Sequence, residues 1–136
     1  TQNVRNREHF IGPDGRLQTA VDRRSQLRYR RIPDKEMKIT VHTVVSDQSF
    51  SLSVEGEDVR RIEGVAGPAV QLEEGMPATD FITDIPAFSP GRGGGRRGGP
   101  RGSPWVEITL RYEASATMAD GRGTDRHRVV YTYIEQ

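Results

Sequence analysis

The sequence predicts a mainly β domain, with α+β as the alternative: a twisted antiparallel sheet or sandwich with a long C-terminal hairpin and a short N-terminal helix. Three observations carry that prediction. Beyond Trp105, apolar residues alternate with polar ones. Val106, Ile108, Leu110, Tyr112, Ala114, Ala116 and Met118 fall on one face, and Glu107, Thr109, Arg111, Glu113, Ser115 and Thr117 on the other. A period of two marks a half-buried strand. Shorter β-branched and aromatic runs recur between breaks rich in Gly, Pro and Asp, the spacing of an all-β sheet or sandwich. The chain has 136 residues, 33% of them hydrophobic, which suits one β-rich domain over 1–136 with a core of modest size.

Taken in order, the N-terminal third admits two readings. Leu17, Ala20, Val21, Arg24 and Leu27 fit one face of a short helix that Asp14 is placed to cap. Leu27 to Ile32 also reads as a strand ending at Pro33, so a turn or two of helix followed by a strand is expected. Met37 to Val45 and Ser49 to Val54 are strand candidates separated by Ser46-Asp47-Gln48, and they predict a second hairpin. Glu55-Gly56-Glu57-Asp58 reads as a turn and Val59 to Ile62 as a short strand. Val70-Gln71-Leu72 and Phe81 to Ile85 are further short apolar segments. Asp120-Gly121-Arg122-Gly123 supplies residues that tolerate positive φ between the alternating run and Arg126 to Ile134, which predicts the terminal hairpin.

Between these elements lies the most distinctive stretch. Residues 91–102 hold seven Gly, four Arg and one Pro, flanked by Pro86, Pro90 and Pro104. Such a composition cannot bury enough apolar surface to offset its ordering entropy, so 86–104 reads as a flexible insertion between sheet elements. It also concentrates charge. Residues 1–31 carry eight Arg against Glu8, Asp14 and Asp22, a net +5, and 91–102 add +4. The chain totals +1, so the remainder is an acidic body of −8. Clustered arginine neutralises phosphates and releases their counterions. Arg92, Arg96, Arg97 and Arg101, with the nearby Phe88 and Trp105, are therefore the candidate contacts to a polyanion or a partner. Coding bias toward Arg, Gly and Pro is the alternative source of this composition.

Other chemistry finds less support. With no cysteine there is no disulfide, no thiolate nucleophile and no sulfur-ligated zinc. His9, His42 and His127 are scattered, without HxH or HExxH spacing, and no GxSxG elbow or P-loop occurs. Asp120 and Asp125 flank a Gly-rich turn where Ca²⁺ could find two carboxylates, but Arg122 sits between them and the turn needs Asp and Gly for its backbone alone. The expectation is no catalytic site, no cofactor, no small-molecule substrate, and Asp120 and Asp125 as the only calcium candidates. No apolar run approaches the ~20 residues of a membrane-spanning helix.

Five segments resemble the globular part of prepilin-like proteins, in particular minor pseudopilins of type II secretion and minor type IV pilins. They are Ser49 to Val54 running into an acidic turn; Val59-Arg60-Arg61-Ile62-Glu63-Gly64; Val70-Gln71-Leu72-Glu73-Glu74-Gly75 through Asp80-Phe81; Trp105 to Leu110; and Arg128 to Ile134. The resemblance implies a structural subunit of a cell-envelope filament or secretion system, extracytoplasmic, held to other subunits by sheet-edge and side-chain contacts, with the terminal hairpin 105–134 as scaffold and loop 86–104 as the variable contact. Prepilins carry a long apolar helix ahead of this part, whereas this sequence opens Thr1-Gln2-Asn3-Val4-Arg5-Asn6-Arg7. The resemblance therefore expects a missing N-terminal segment as the sole membrane contact. Two alternatives stand beside it: a β-domain binding nucleic acid or another polyanion through the Arg/Gly loop, and a subunit of another large envelope or virion assembly.

Overall fold

The computed structural model describes residues 2–6, 19–45, 48, 50–89, 103–115 and 125–136. These form nine strands: β1 Gln2–Asn6, β2 Thr19–Arg30, β3 Met37–Val44, β4 Ser51–Glu57, β5 Val65–Ala66, β6 Val70–Gln71, β7 Thr79–Ile85, β8 Trp105–Ser115 and β9 Asp125–Glu135. A 3₁₀ turn spans Arg61–Glu63. The strands make two antiparallel sheets, in the orders β1-β9-β3-β7-β5 and β2-β8-β4-β6.

Odd-numbered strands form one sheet and even-numbered strands the other, so every connection crosses between sheets. The antiparallel pairs β1·β9, β2·β8, β3·β7 and β4·β6 are nested about β5, and β3·β9 and β4·β8 join them sideways. A long nested hairpin rolled onto itself in this way is the jelly-roll topology, with β5 as a short addition at the edge.

That topology corrects both predicted hairpins. β8 and β9 do not pair with each other. β8 lies between β2 and β4, and β9 between β1 and β3. Alternation demands one buried face per strand, and two strands facing each other across a core satisfy it as well as two paired edge to edge. The same holds for β3 and β4. Val45 and Phe50, on either side of their connection, are both buried as the chain crosses the end of the sandwich.

The predicted N-terminal helix is corrected over its described part. Ala20, Val21, Arg24 and Leu27 all lie in β2, whose ladder with β8 runs from Thr19 to Arg30 with a bulge between Asp22 and Ser25. Pairing with a long partner strand overrides local propensity. Asp14 and Leu17 lie outside the described residues. Two smaller readings also change. Glu55 to Glu57 continue β4, and Arg61-Ile62-Glu63 form a 3₁₀ turn where a strand was expected.

The core fills the space between the sheets. Val106, Ile108, Leu110, Tyr112 and Ala114 of β8, Leu52 and Val54 of β4, Ile39 and Val41 of β3, and Phe81, Ile82 and Ile85 of β7 are all buried in one cluster. Adjacent Phe81 and Ile82 both turn inward because the register with β3 slips there, from Ile39↔Ile82 to Thr40↔Asp80. Burying each of these larger side chains contributes about 1.5–3 kcal/mol. Tyrosine hydroxyls inside the sandwich find partners there. The Tyr112 and Tyr131 hydroxyls lie 2.7 Å apart, and the Tyr29 hydroxyl donates to the Glu63 carbonyl.

Candidate functional site

The site builds up from the last turn of the β2–β8 ladder. Antiparallel pairing sets Arg30 opposite Trp105 and Arg28 opposite Glu107. Tyr29 is buried while Arg28 and Arg30 are exposed, so the two cations project from the outer face at alternate positions, ~7 Å apart along the strand. Trp105 opens β8 on that same outer face, with its backbone N–H donating to the Ser103 hydroxyl at 3.0 Å. The Arg28 guanidinium lies over the indole, 4.5 Å from the ring centroid. Trp105 still keeps 49% of its surface in solvent. Among the described residues neither Arg28 nor Arg30 pairs with a carboxylate, whereas Arg23 and Arg24 farther along β2 pair with Glu57 and Asp22.

Arg31 follows on the inward face and is only 7% exposed. It binds the chain on both sides of the Gly/Arg segment. Its N–H donates to the Pro104 carbonyl at 2.7 Å and its Nη2 to the Ser103 carbonyl at 3.2 Å. On the other side, its guanidinium stacks 5.2 Å from the Phe88 ring centroid, while the Phe88 N–H donates to the Ile32 carbonyl. Residues 86–89 and 103–104, read from sequence as part of the flexible insertion, are thus tied to the end of β2. Arg31 also acts electrostatically. Burial pushes the Glu63 carboxyl up, but hydrogen bonds from Arg60 and the charges of Arg60 and Arg31 outweigh it and hold the group below its usual value.

Of the six contact residues the sequence singled out, Phe88 and Trp105 meet at this corner, Phe88 half-buried beneath Arg31 and Trp105 outside. Arg92, Arg96, Arg97 and Arg101 lie outside the described residues. The calcium candidates are not brought together by anything described. Asp120 lies outside the described residues, and Asp125 opens β9 opposite Asn6. Among the described residues no group of three or more His, Asp or Glu is placed to hold a metal. His127 is 1% exposed on the inner face, with Nδ1 3.3 Å from the Thr43 hydroxyl, while its neighbour Arg128 is exposed on the other.

Sequence reasoning missed Arg28, Arg30 and Arg31. The outward placement of Arg28 and Arg30 was readable from Leu27-Arg28-Tyr29-Arg30. Their meeting with a tryptophan more than seventy residues away was not.

No family model, curated protein or solved structure matches this chain. The five segments compared with prepilins from sequence fall on β4, the 3₁₀ turn, the stretch from β6 into β7, β8 and β9.

Proposed function

We propose that this domain is a binding module for a polyanion, engaged at the corner formed by Arg28, Arg30 and Trp105. The observation that carries the reading is the pair of outward arginines on β2, unmatched by carboxylates and set against a half-exposed tryptophan. Most other cations on the described surface already have partners: Arg23, Arg24, Lys35, Lys38, Arg60 and Arg111 each form an ion pair. A phosphate or sulfate arriving at Arg28 and Arg30 displaces counterions and breaks no ion pair among the described residues. The four arginines of the segment between Ser89 and Ser103 add charge to a chain whose two ends are fastened at this corner.

A salt series tests the reading. Affinity for single-stranded oligonucleotide, duplex and heparin is measured between roughly 50 and 200 mM salt, where phosphate-driven binding weakens steeply. Replacing Arg28 and Arg30 together by Gln should flatten the slope of log K against log salt by about 1.4 for a single strand, at ~0.7 per phosphate contact. Absence of binding to any polyanion at low salt sinks the proposal.

A second reading, the assembly subunit of an envelope filament or related structure, is favoured by a different observation. Ile62 on the 3₁₀ turn and Val65 on β5 are each 49% exposed, beside an edge strand of only two residues. Sedimentation of the isolated domain over a wide concentration range, with Ile62→Ser as the control, tests for self-association through that edge.

A further inference from the structure

We infer that the polyanion taken at this corner is a single-stranded nucleic acid, with Trp105 as a stacking platform for one base. The inference rests on the polyanion reading and adds the ligand class. Phosphate recognition alone requires Arg28 and Arg30 but not a tryptophan held out of the core. Trp105 is the only tryptophan of the chain. Its strand supplies five buried side chains, yet it stands outside with 49% of its surface in solvent. An apolar surface of this size left in water is favourable to cover. One ring face carries the Arg28 guanidinium, and a base laid on the indole extends the same stack.

The arrangement selects among polyanions. Bases of a duplex are already stacked on one another, so the indole has no free base face to meet there. A sulfated sugar offers no π-face to extend the stack of Arg28 on the indole. A single strand offers both parts: bases free to stack, and phosphates for arginines at alternate positions of an extended strand. The Gly/Arg segment contains no aromatic residue of its own. The ladder between β2 and β8 supplies one beside its end.

Because Trp105 is the sole tryptophan, its fluorescence reports the contact directly. The chain is titrated with dT₁₅ and U₁₅ oligonucleotides, an abasic oligomer with the same phosphates, a 15-base-pair duplex, and heparin. Both single strands should quench Trp105 and bind more tightly than the abasic oligomer. By anisotropy of a labelled strand, Trp105→Leu should weaken single-strand binding by about 5- to 150-fold, the range for losing one base–aromatic stack. Its affinity for heparin and for the abasic oligomer should stay unchanged. Glu107→Gln should tighten all phosphate ligands, less so as salt rises. Equal binding of abasic and base-bearing strands, with no effect of Trp105→Leu, overturns the stacking inference while leaving the polyanion reading intact. Heparin quenching Trp105 and depending on it overturns the inference in favour of a polysaccharide. No binding of any of these at low salt removes both.

Discussion

Replacing Gly64 by alanine should destabilise the fold by about 2–6 kcal/mol, by two separable effects. Gly64 ends the 3₁₀ turn and leads into β5 with φ of +127°, in the region that L side chains rarely adopt. Holding a non-glycine residue there costs about 1–3 kcal/mol. A Cβ built on Gly64 also falls 2.7 Å from Ile82 Cγ2, 3.0 Å from Ile85 Cγ1 and 3.1 Å from the Thr83 carbonyl oxygen. Ile82 and Ile85 are fully buried, so neither can swing into solvent. Forcing one extra carbon into such packing costs a further ~1–3 kcal/mol. Gly75→Ala provides the control. Its φ is +77°, but nothing lies within 4 Å of the new Cβ, so it should show the backbone cost alone. Urea denaturation followed by far-UV circular dichroism measures both variants. The difference between them, at least about 1 kcal/mol, combines the packing cost at the β5–β7 edge with the extra backbone cost of the region Gly64 occupies, at ψ −170°. If the two variants fall within about 0.5 kcal/mol of each other, the close packing of Gly64 on β7 is wrong.

Further expectations follow from the interior and the corner. Tyr29→Phe removes the buried hydroxyl that donates to the Glu63 carbonyl, and should cost about 1–3 kcal/mol in the same urea assay; a loss below half that range argues against the bond. Burial pushes the Tyr112 hydroxyl up to about 12 and those of Tyr29 and Tyr131 higher still, so the native state holds these protons more tightly than the unfolded chain, whose tyrosines ionise near 10. Stability should therefore be level below about pH 9 and fall from pH 10 toward 12, by up to ~1.4 kcal/mol per pH unit for each tyrosine; a flat alkaline limb contradicts this. At the acid end the sign reverses. The folded-state values of Glu63 and Asp22 lie below their ordinary ones, so their contribution is present above about pH 4.5 and is lost as pH falls, which acid titration followed by circular dichroism checks. Trp105→Leu should lower stability by no more than about 1 kcal/mol, the size of an exposed stack with Arg28; a larger loss in the urea assay would mean that the ring supports the fold.

Strands were more legible in this sequence than the pairing between them. β8 could be read residue by residue, because Val106 to Ala114 alternate strictly and the structure buries that face. β7 and β3 were found from their β-branched content. Nothing local distinguishes a strand that pairs with the next from one that faces it across a core, so the turn residues around Gly121 suggested a hairpin the topology does not contain. β2 was half-read, since Leu27 and Tyr29 announced a strand while Ala20, Val21, Arg24 and Leu27 also fit a helical face. The bulge between Asp22 and Ser25 interrupts the alternation that would have decided it. For the site, Trp105 and Phe88 were picked out as aromatic neighbours of an arginine-rich stretch. Arg28, Arg30 and Arg31 were hidden in a general excess of arginine, and only the ladder between β2 and β8 distinguishes them from the rest.

The nested pairing also governs the order in which the chain can fold. Val54 and Val70, in the innermost pair, are close in sequence, but Gln2 must find Val129, 127 positions further along. Loop-closure entropy rises with each step outward, so a zipper starting at β4·β6 and running toward β1·β9 spreads that cost over successive closures. On the ribosome, β1 and β2 emerge long before their partners β9 and β8. During that interval the twelve residues of β2 have no partner strand, and their unpaired backbone groups are a ready template for pairing with another chain. Its run of arginines and its bulge then protect the nascent chain against self-association. The same arginines that the proposed binding corner would use in the finished domain would earlier keep unfinished copies apart.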